Sequence, residues 1–233
     1  MTKPNTTEIV FVVDRSGSMS TIADDMKGGF DSFIAKQKEL PGECKVTLVQ
    51  FDDEPETVYT ALSLNEVPAL DLVPRGMTAL LDAVGKAIQE TGMRLAAMPE
   101  HERPSQVLFV IITDGRENQS KEYGRNRVYD MITHQREKYS WEFVFLGANQ
   151  DAFAEGTSMG ISPTNSVTTK ASSVGTKALF HGLSANVATY RSSGLGRSEG
   201  LYDQSSYNSS MHSVDADPQA VVPAITVDPR PTL

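Results

Sequence analysis

Two stretches of the chain are apolar without alternation and end in aspartate: Ile9-Val10-Phe11-Val12-Val13-Asp14 and Val107-Leu108-Phe109-Val110-Ile111-Ile112-Thr113-Asp114. Unbroken β-branched runs suit strands buried on both faces, the condition of a parallel sheet covered by helices. After each run come turn residues and then apolar positions three and four apart, the mark of an amphipathic helix. Ile22, Met26, Phe30, Phe33 and Ile34 predict the first helix, and Leu80, Leu81, Val84 and Ile88 a second. Val128, Met131 and Ile132 predict a third, and Leu179, Leu183, Val187 and Tyr190 a last one. Between the last two, the run from Trp141 to Leu146 adds another buried strand.

One place breaks the alternation. The segments 45–51 (KVTLVQF) and 56–62 (ETVYTAL) flank Asp52-Asp53-Glu54-Pro55, a short polar stretch with proline, and predict an antiparallel hairpin with one strand at a sheet edge. Asp52 and Asp53 are assigned to its turn, at an end expected to face away from any site or toward the sheet edge. The whole pattern, β, α, ββ, α, β, α, β, α, is that of an α/β doubly wound, mostly parallel sheet with one antiparallel edge strand and helices on both faces.

Composition changes near Arg191. Residues 1–191 read as one domain, whereas 192–233 are rich in Ser, Pro and Gly and poor in large apolar side chains, which predicts a flexible tail. Within that tail Ala220 to Val227 is apolar enough to add a strand, although Pro223 interrupts it. A net charge of −9 argues against an extended phosphate-binding surface and so against nucleic acid as partner. The only cysteine, Cys44, excludes an intrachain disulfide and reads as a buried strand residue. No signal-like N-terminus and no run of about 18 to 20 apolar residues are present, so a cytoplasmic, non-membrane protein is expected.

In an open parallel sheet the ligand site lies outside the carboxyl ends of the strands. Asp14 and Asp114 stand at two such ends. Asp14-Arg15-Ser16-Gly17-Ser18 follows one carboxylate with two hydroxyls at alternate positions, which an extended turn would aim to one side. Thr78, just before the second helix, offers a third hydroxyl. Two carboxylates and three hydroxyls, without His or Cys, suit a hard cation: Mg²⁺, which takes an octahedral shell of oxygens at about 2.1 Å, with Mn²⁺ an easy substitute. Neutral hydroxyl ligands leave such an ion electrophilic enough to accept a carboxylate from another molecule.

These residues resemble the von Willebrand factor type A domain with its metal-ion-dependent adhesion site, whose motif is Asp-x-Ser-x-Ser, a separate Thr and a separate Asp. The chain matches it at Asp14, Ser16, Ser18, Thr78 and Asp114. Val12-Val13-Asp14-Arg15-Ser16-Gly17-Ser18-Met19 is most similar to bacterial and phage members, and the resemblance covers about residues 6 to 191. It implies metal coordination through Ser16, Ser18 and Thr78, with Asp14 and Asp114 acting directly or through water. A protein partner's Asp or Glu would complete the shell. The implied function is a Mg²⁺-dependent protein-binding module rather than an enzyme.

Two rival functions are weighed. One is a scaffold protein of a virion or intracellular complex held together by its tail. The other is a metal-dependent hydrolase, disfavoured because an aspartyl nucleophile in such a site normally has a second Asp two residues on, where this chain has Ser16, and because no Walker loop, Gly-x-Ser-x-Gly elbow or His-Glu-x-x-His is present. Arg15, Arg75 and Arg116 each lie within three residues of a site position. They are expected to form a positive rim steering an acidic partner, with Met19 and Met77 adding apolar contact.

Overall fold

The computed structural model describes residues 1–149, 151–193 and 200–216, apart from the side chains of 215 and 216. In chain order the elements are β1 (Lys3–Asp14), α1 (Ala23–Lys38), β2 (Glu43–Phe51), β3 (Pro55–Ser63), α2 (Leu80–Ala97), β4 (Pro104–Thr113), α3 (Arg125–Tyr139), β5 (Glu142–Ala148), α4 (Ala152–Ser158), β6 (Ser166–Thr169), α5 (Ser173–Ser193) and α6 (Gln204–Ala216). The six strands lie in the order β3-β2-β1-β4-β5-β6, with every neighbouring pair parallel except β2 and β3. The doubly wound sheet and its antiparallel edge strand are thus as the sequence predicts.

Period-two alternation along the buried strands divides the interior into two cores. Ile9, Phe11 and Val13 face one side, where Phe30 and Phe33 of α1 meet Phe11 edge-on, with centroids 5.0 and 5.3 Å away. Val10 and Val12 face the other, with Leu80, Val84 and Ile88 of α2 and Val128 and Ile132 of α3. Phe109 there stacks between Trp141 and Phe143 at 5.4 and 4.9 Å. Cys44 is buried on β2, and its thiol is pushed up to about 11, chiefly by that burial.

Two elements escape the sequence reading. β6 is only four residues long, with Val167 as its one large apolar residue, and α4 has seven residues, too few for a periodic stripe. A third finding corrects the expected boundary at 191. That position lies inside α5, and residues 200–216, expected to be flexible, form a packed segment ending in α6. Leu201, Tyr202 and Tyr207 are buried in the α1 and α5 core. The Tyr202 hydroxyl donates to the Leu179 carbonyl at 2.9 Å, and Gln204 Nε2 donates to the Thr168 carbonyl at 3.1 Å. Gly182 permits this contact: a Cβ there would stand 2.4 Å from the Tyr202 oxygen and 2.6 Å from Ser210 Oγ. The serines hide the segment's character, because three aromatic or aliphatic anchors suffice where a ready apolar groove receives them. The run from Ala220 to Val227 lies outside the described residues. Among the described residues no helix is long and apolar enough to cross a membrane.

α5 is also tied to α1 by polar contacts, buried at Arg191 and exposed at Ser173. Arg191 donates to the Gln37 carbonyl at 2.9 Å and to its side-chain oxygen at 3.0 Å, and Ser173 Oγ donates to Asp25 at 2.7 Å.

If residues 200–216 are part of the domain, Tyr202→Ala removes a fully buried aromatic ring and destabilises the fold by about 3–5 kcal/mol, as for other large-to-small core changes. Urea unfolding of the full chain measures this, and a change within about 0.5 kcal/mol of wild type would show that the segment adds nothing.

Candidate metal centre

The strand order reverses between β1 and β4: from β1 the chain winds outward through β2 and β3, then returns to β4 on the other side. Such a switch point leaves a crevice at the carboxyl ends of the two strands. Asp14 ends β1 and Asp114 follows Thr113, the last residue of β4, so both carboxylates stand at that crevice.

Asp14 is fully buried. One carboxylate oxygen accepts the Ser16 amide at 2.6 Å and the other accepts the Thr113 hydroxyl at 2.6 Å. Burial raises its pKa to about 6 despite the hydrogen bonds from Thr113 and Ser16, with a smaller push from Asp114. Ser16 Oγ and Ser18 Oγ lie 3.0 Å apart, and Ser18 Oγ donates to Asp114 Oδ1 at 2.6 Å. Burial likewise raises Asp114, against that hydrogen bond. Thr78 is buried beside them. A Cβ placed on Gly115 would lie 2.8 Å from Thr78 Oγ1 and 3.6 Å from Asp14 Oδ2, so this glycine keeps the floor between hydroxyl and carboxylate open. The five expected ligand residues therefore meet at one place. Ser18 arrives there differently from expectation: only Ser16 is extended, and a 3₁₀ turn over Gly17–Thr21 carries Ser18 back toward Asp114.

The donor set fits a hard divalent cation. All donors are oxygen, and among the described residues no three His, Cys, Asp or Glu side chains cluster, so hydroxyls must supply much of any shell. Among the described residues no cationic side chain contacts the raised Asp14 carboxyl, and a bound cation would supply that counter-charge.

Loop-to-loop bonds fix the three site segments. The Thr78 amide donates to Asn118 Oδ1 at 3.0 Å and the Asn118 amide returns to the Thr78 carbonyl at 3.1 Å. α2 starts without a cap of its own, and Glu117 and Ser120 accept its free Leu81 and Asp82 amides at 2.8 and 3.0 Å. Thr113, Glu117 and Asn118 were not singled out from sequence. Thr113, the residue before Asp114, carried the clearest signal: a polar side chain at the end of a wholly apolar run.

The arginine rim needs correction. Arg15 is buried at 8 % exposure, its Nε donating to Asp52 Oδ2 at 2.8 Å and its Nη1 to Glu56 at 2.7 Å. It braces the site from behind and does not face a partner. Arg75 also donates Nε to Asp52 Oδ2, at 2.7 Å, while its side chain stays exposed. Arg116 is exposed and makes no ion pair among the described residues, and Met77 is exposed. Met19 is instead a core residue. Asp52 and Asp53 do not face away from the site. β2 runs parallel to β1, so the turn at its carboxyl end lies on the site's edge of the sheet, where Phe51 pairs with Asp14.

Comparison with known proteins agrees with this fold. The von Willebrand factor type A domain model matches residues 8–181. No curated protein matches the chain. Among solved structures, proximal thread matrix protein 1 from the mussel byssus is similar at TM-score 0.57 and 18% identity over 79% of this chain and 46% of that one. Another structure of that mussel protein has a zinc-occupied adhesion-site motif. The PilB minor pilin from Streptococcus sanguinis is similar at TM-score 0.52 and 13% identity, covering 80% of this chain and 62% of the pilin. A von Willebrand factor type A protein from Catenulispora acidiphila gives TM-score 0.53 at 14% identity, covering 78% and 42%. The chain spans less than two thirds of each of these proteins, and at such identities the likeness is one of fold. With the model matched across most of its length, the chain belongs to the von Willebrand factor type A domain family, a family of protein-interaction modules.

Proposed function

We propose that this domain is a Mg²⁺-dependent binding module, without catalysis of its own, that captures an Asp or Glu of a protein partner on a metal held by Asp14, Ser16, Ser18, Thr78 and Asp114. The observation that carries this reading is the convergence of two carboxylates and three hydroxyls at the β1–β4 crevice. The zinc-occupied motif of the mussel protein supports a divalent ion at the equivalent place, and Mn²⁺ would serve as well as Mg²⁺. With three of five ligands neutral, the ion keeps enough positive charge to attract an outside carboxylate. Exposed Arg75, Met77 and Arg116 border the site and would meet the surface around that carboxylate.

Titration calorimetry of EDTA-treated protein should show one saturable Mg²⁺ or Mn²⁺ site that Asp14→Ala abolishes. At a hundred times Kd the ion should add about 2.7 kcal/mol to wild-type stability and nothing to the variant. Binding retained in Asp14→Ala would refute the assignment.

The raised Asp14 carboxyl gives two pH effects. Metal must displace its proton, so affinity should fall as pH drops through about 6, by up to about tenfold per unit. In metal-free protein the folded state holds this proton more tightly than the unfolded chain, whose carboxyl titrates near 3.8. The associated stability is therefore full below about pH 4 and lost as pH rises through 6, an effect of about 3 kcal/mol. Subtracting the pH–stability curve of Asp14→Asn, measured in EDTA, isolates it. A flat difference curve would mean that Asp14 titrates as an ordinary carboxylate.

A further inference from the structure

We propose that Asp52, at the tip of the β2–β3 hairpin, is a positioning residue of the metal centre that sets where Thr78 stands relative to Ser16 and Ser18. The inference rests on the metal-site reading above. It starts from one oxygen: Asp52 Oδ2 accepts Arg15 Nε at 2.8 Å and Arg75 Nε at 2.7 Å. Arg15 lies inside the Asp14–Ser18 turn, and Arg75 lies in the segment leading to Thr78. The two ligand-bearing loops are thus bound through their guanidiniums to the same carboxylate.

The backbone repeats the arrangement. The Arg15 amide donates to the Phe51 carbonyl at 2.8 Å, the Arg75 amide to the Arg15 carbonyl at 2.8 Å, and the Ala79 amide to the Asp52 carbonyl at 2.8 Å. Thr78 is therefore flanked by Arg75, held to the Asp52 side chain, and Ala79, held to its main chain. The neighbouring Asp53 accepts the Met77 amide at 3.1 Å. Asp52 itself is only 7 % exposed. Burial alone would raise its carboxyl, but bonds from Arg75, the Glu54 amide and Arg15 hold it below the ordinary value, so it stays an anion between two cations.

Charge-assisted hydrogen bonds are the stronger kind, and residues that orient metal ligands typically change affinity about 10–100-fold when removed. On its other side Thr78 is gripped by Asn118 of the opposite loop. Asp52 never touches the ion in this scheme. It acts through Arg15, Arg75 and the main chain, and the turn 52–55 becomes a third wall of the site.

The test uses the full chain as wild type, Arg75→Ala, Arg75→Lys and Asp52→Asn, each stripped with EDTA. Amide hydrogen exchange of residues 75–79 is measured without metal, and Mg²⁺ and Ca²⁺ affinities by calorimetry. Arg75→Ala, at an exposed side chain, should speed exchange at Arg75 and Met77 at least about tenfold and weaken Mg²⁺ about tenfold. Asp52→Asn should do more, and Arg75→Lys should recover part of the loss, since an ammonium can make one of these bonds. Mg²⁺ tolerates misplaced ligands less than the larger Ca²⁺, so the Mg²⁺ loss should exceed the Ca²⁺ loss, which general weakening of the fold would not produce. Unchanged exchange at 75–79 in both Arg75→Ala and Asp52→Asn, or equal losses for the two ions, would overturn the proposal. A wild-type protein that binds neither Mg²⁺ nor Mn²⁺ overturns the metal reading instead, and the exchange measurement then decides by itself whether Asp52 holds Thr78 in place.

Discussion

Asp14 places an acid at the end of one of the two central strands, fully removed from water, and the surrounding structure has to make that tolerable. A buried carboxylate needs donors on both oxygens. β4 supplies one through Thr113, its last residue, and the turn after β1 supplies the other through the Ser16 amide. The Ser16 amide is local to its own turn, but the Thr113 hydroxyl can arrive only if β1 and β4 lie side by side and parallel, with their ends in register. The sheet order and the buried acid are in this sense one constraint seen at two scales: the hydrophobic runs bring the strand ends together, and the carboxylate gives their meeting point its chemistry.

Burial raises the pKa of Asp14, and the neutral donors around it offset that rise only in part. The cations of the neighbourhood are placed elsewhere. Arg15 and Arg75 turn to Asp52, on the hairpin side, and leave the crevice itself to carboxylates and hydroxyls. Separating the two charge systems keeps a guanidinium from neutralising Asp14 and closing the crevice to a metal.

Much of this was legible in the sequence, for identifiable reasons. Strands such as Ile9–Val13 and Val107–Ile112 announce double-sided burial by composition alone, and Asp14, Ser16, Ser18, Thr78 and Asp114 stand at ends that the alternation predicts. What escaped depends on three-dimensional neighbours. Asn118 and Glu117 look like ordinary loop residues until the start of α2 is seen to lack a cap. Asp52 could have been placed by noting that a strand parallel to β1 must finish on the same edge. The inference of a flexible segment failed at Leu201, Tyr202 and Tyr207, because average composition cannot weigh a few anchors that a preformed groove receives.

Those anchors bear on how the chain can fold while it is being made. Leu201, Tyr202 and Tyr207 belong to the same core cluster as Ile9, Phe11 and Phe30. On a ribosome, where domains form from the N-terminus onward, β1 and α1 emerge first and must wait for the segment that completes their hydrophobic layer. Until residues 200–216 clear the exit tunnel, the α1–α5 face stays open to water and to other chains. Nascent protein halted before that point would be a natural client for chaperones.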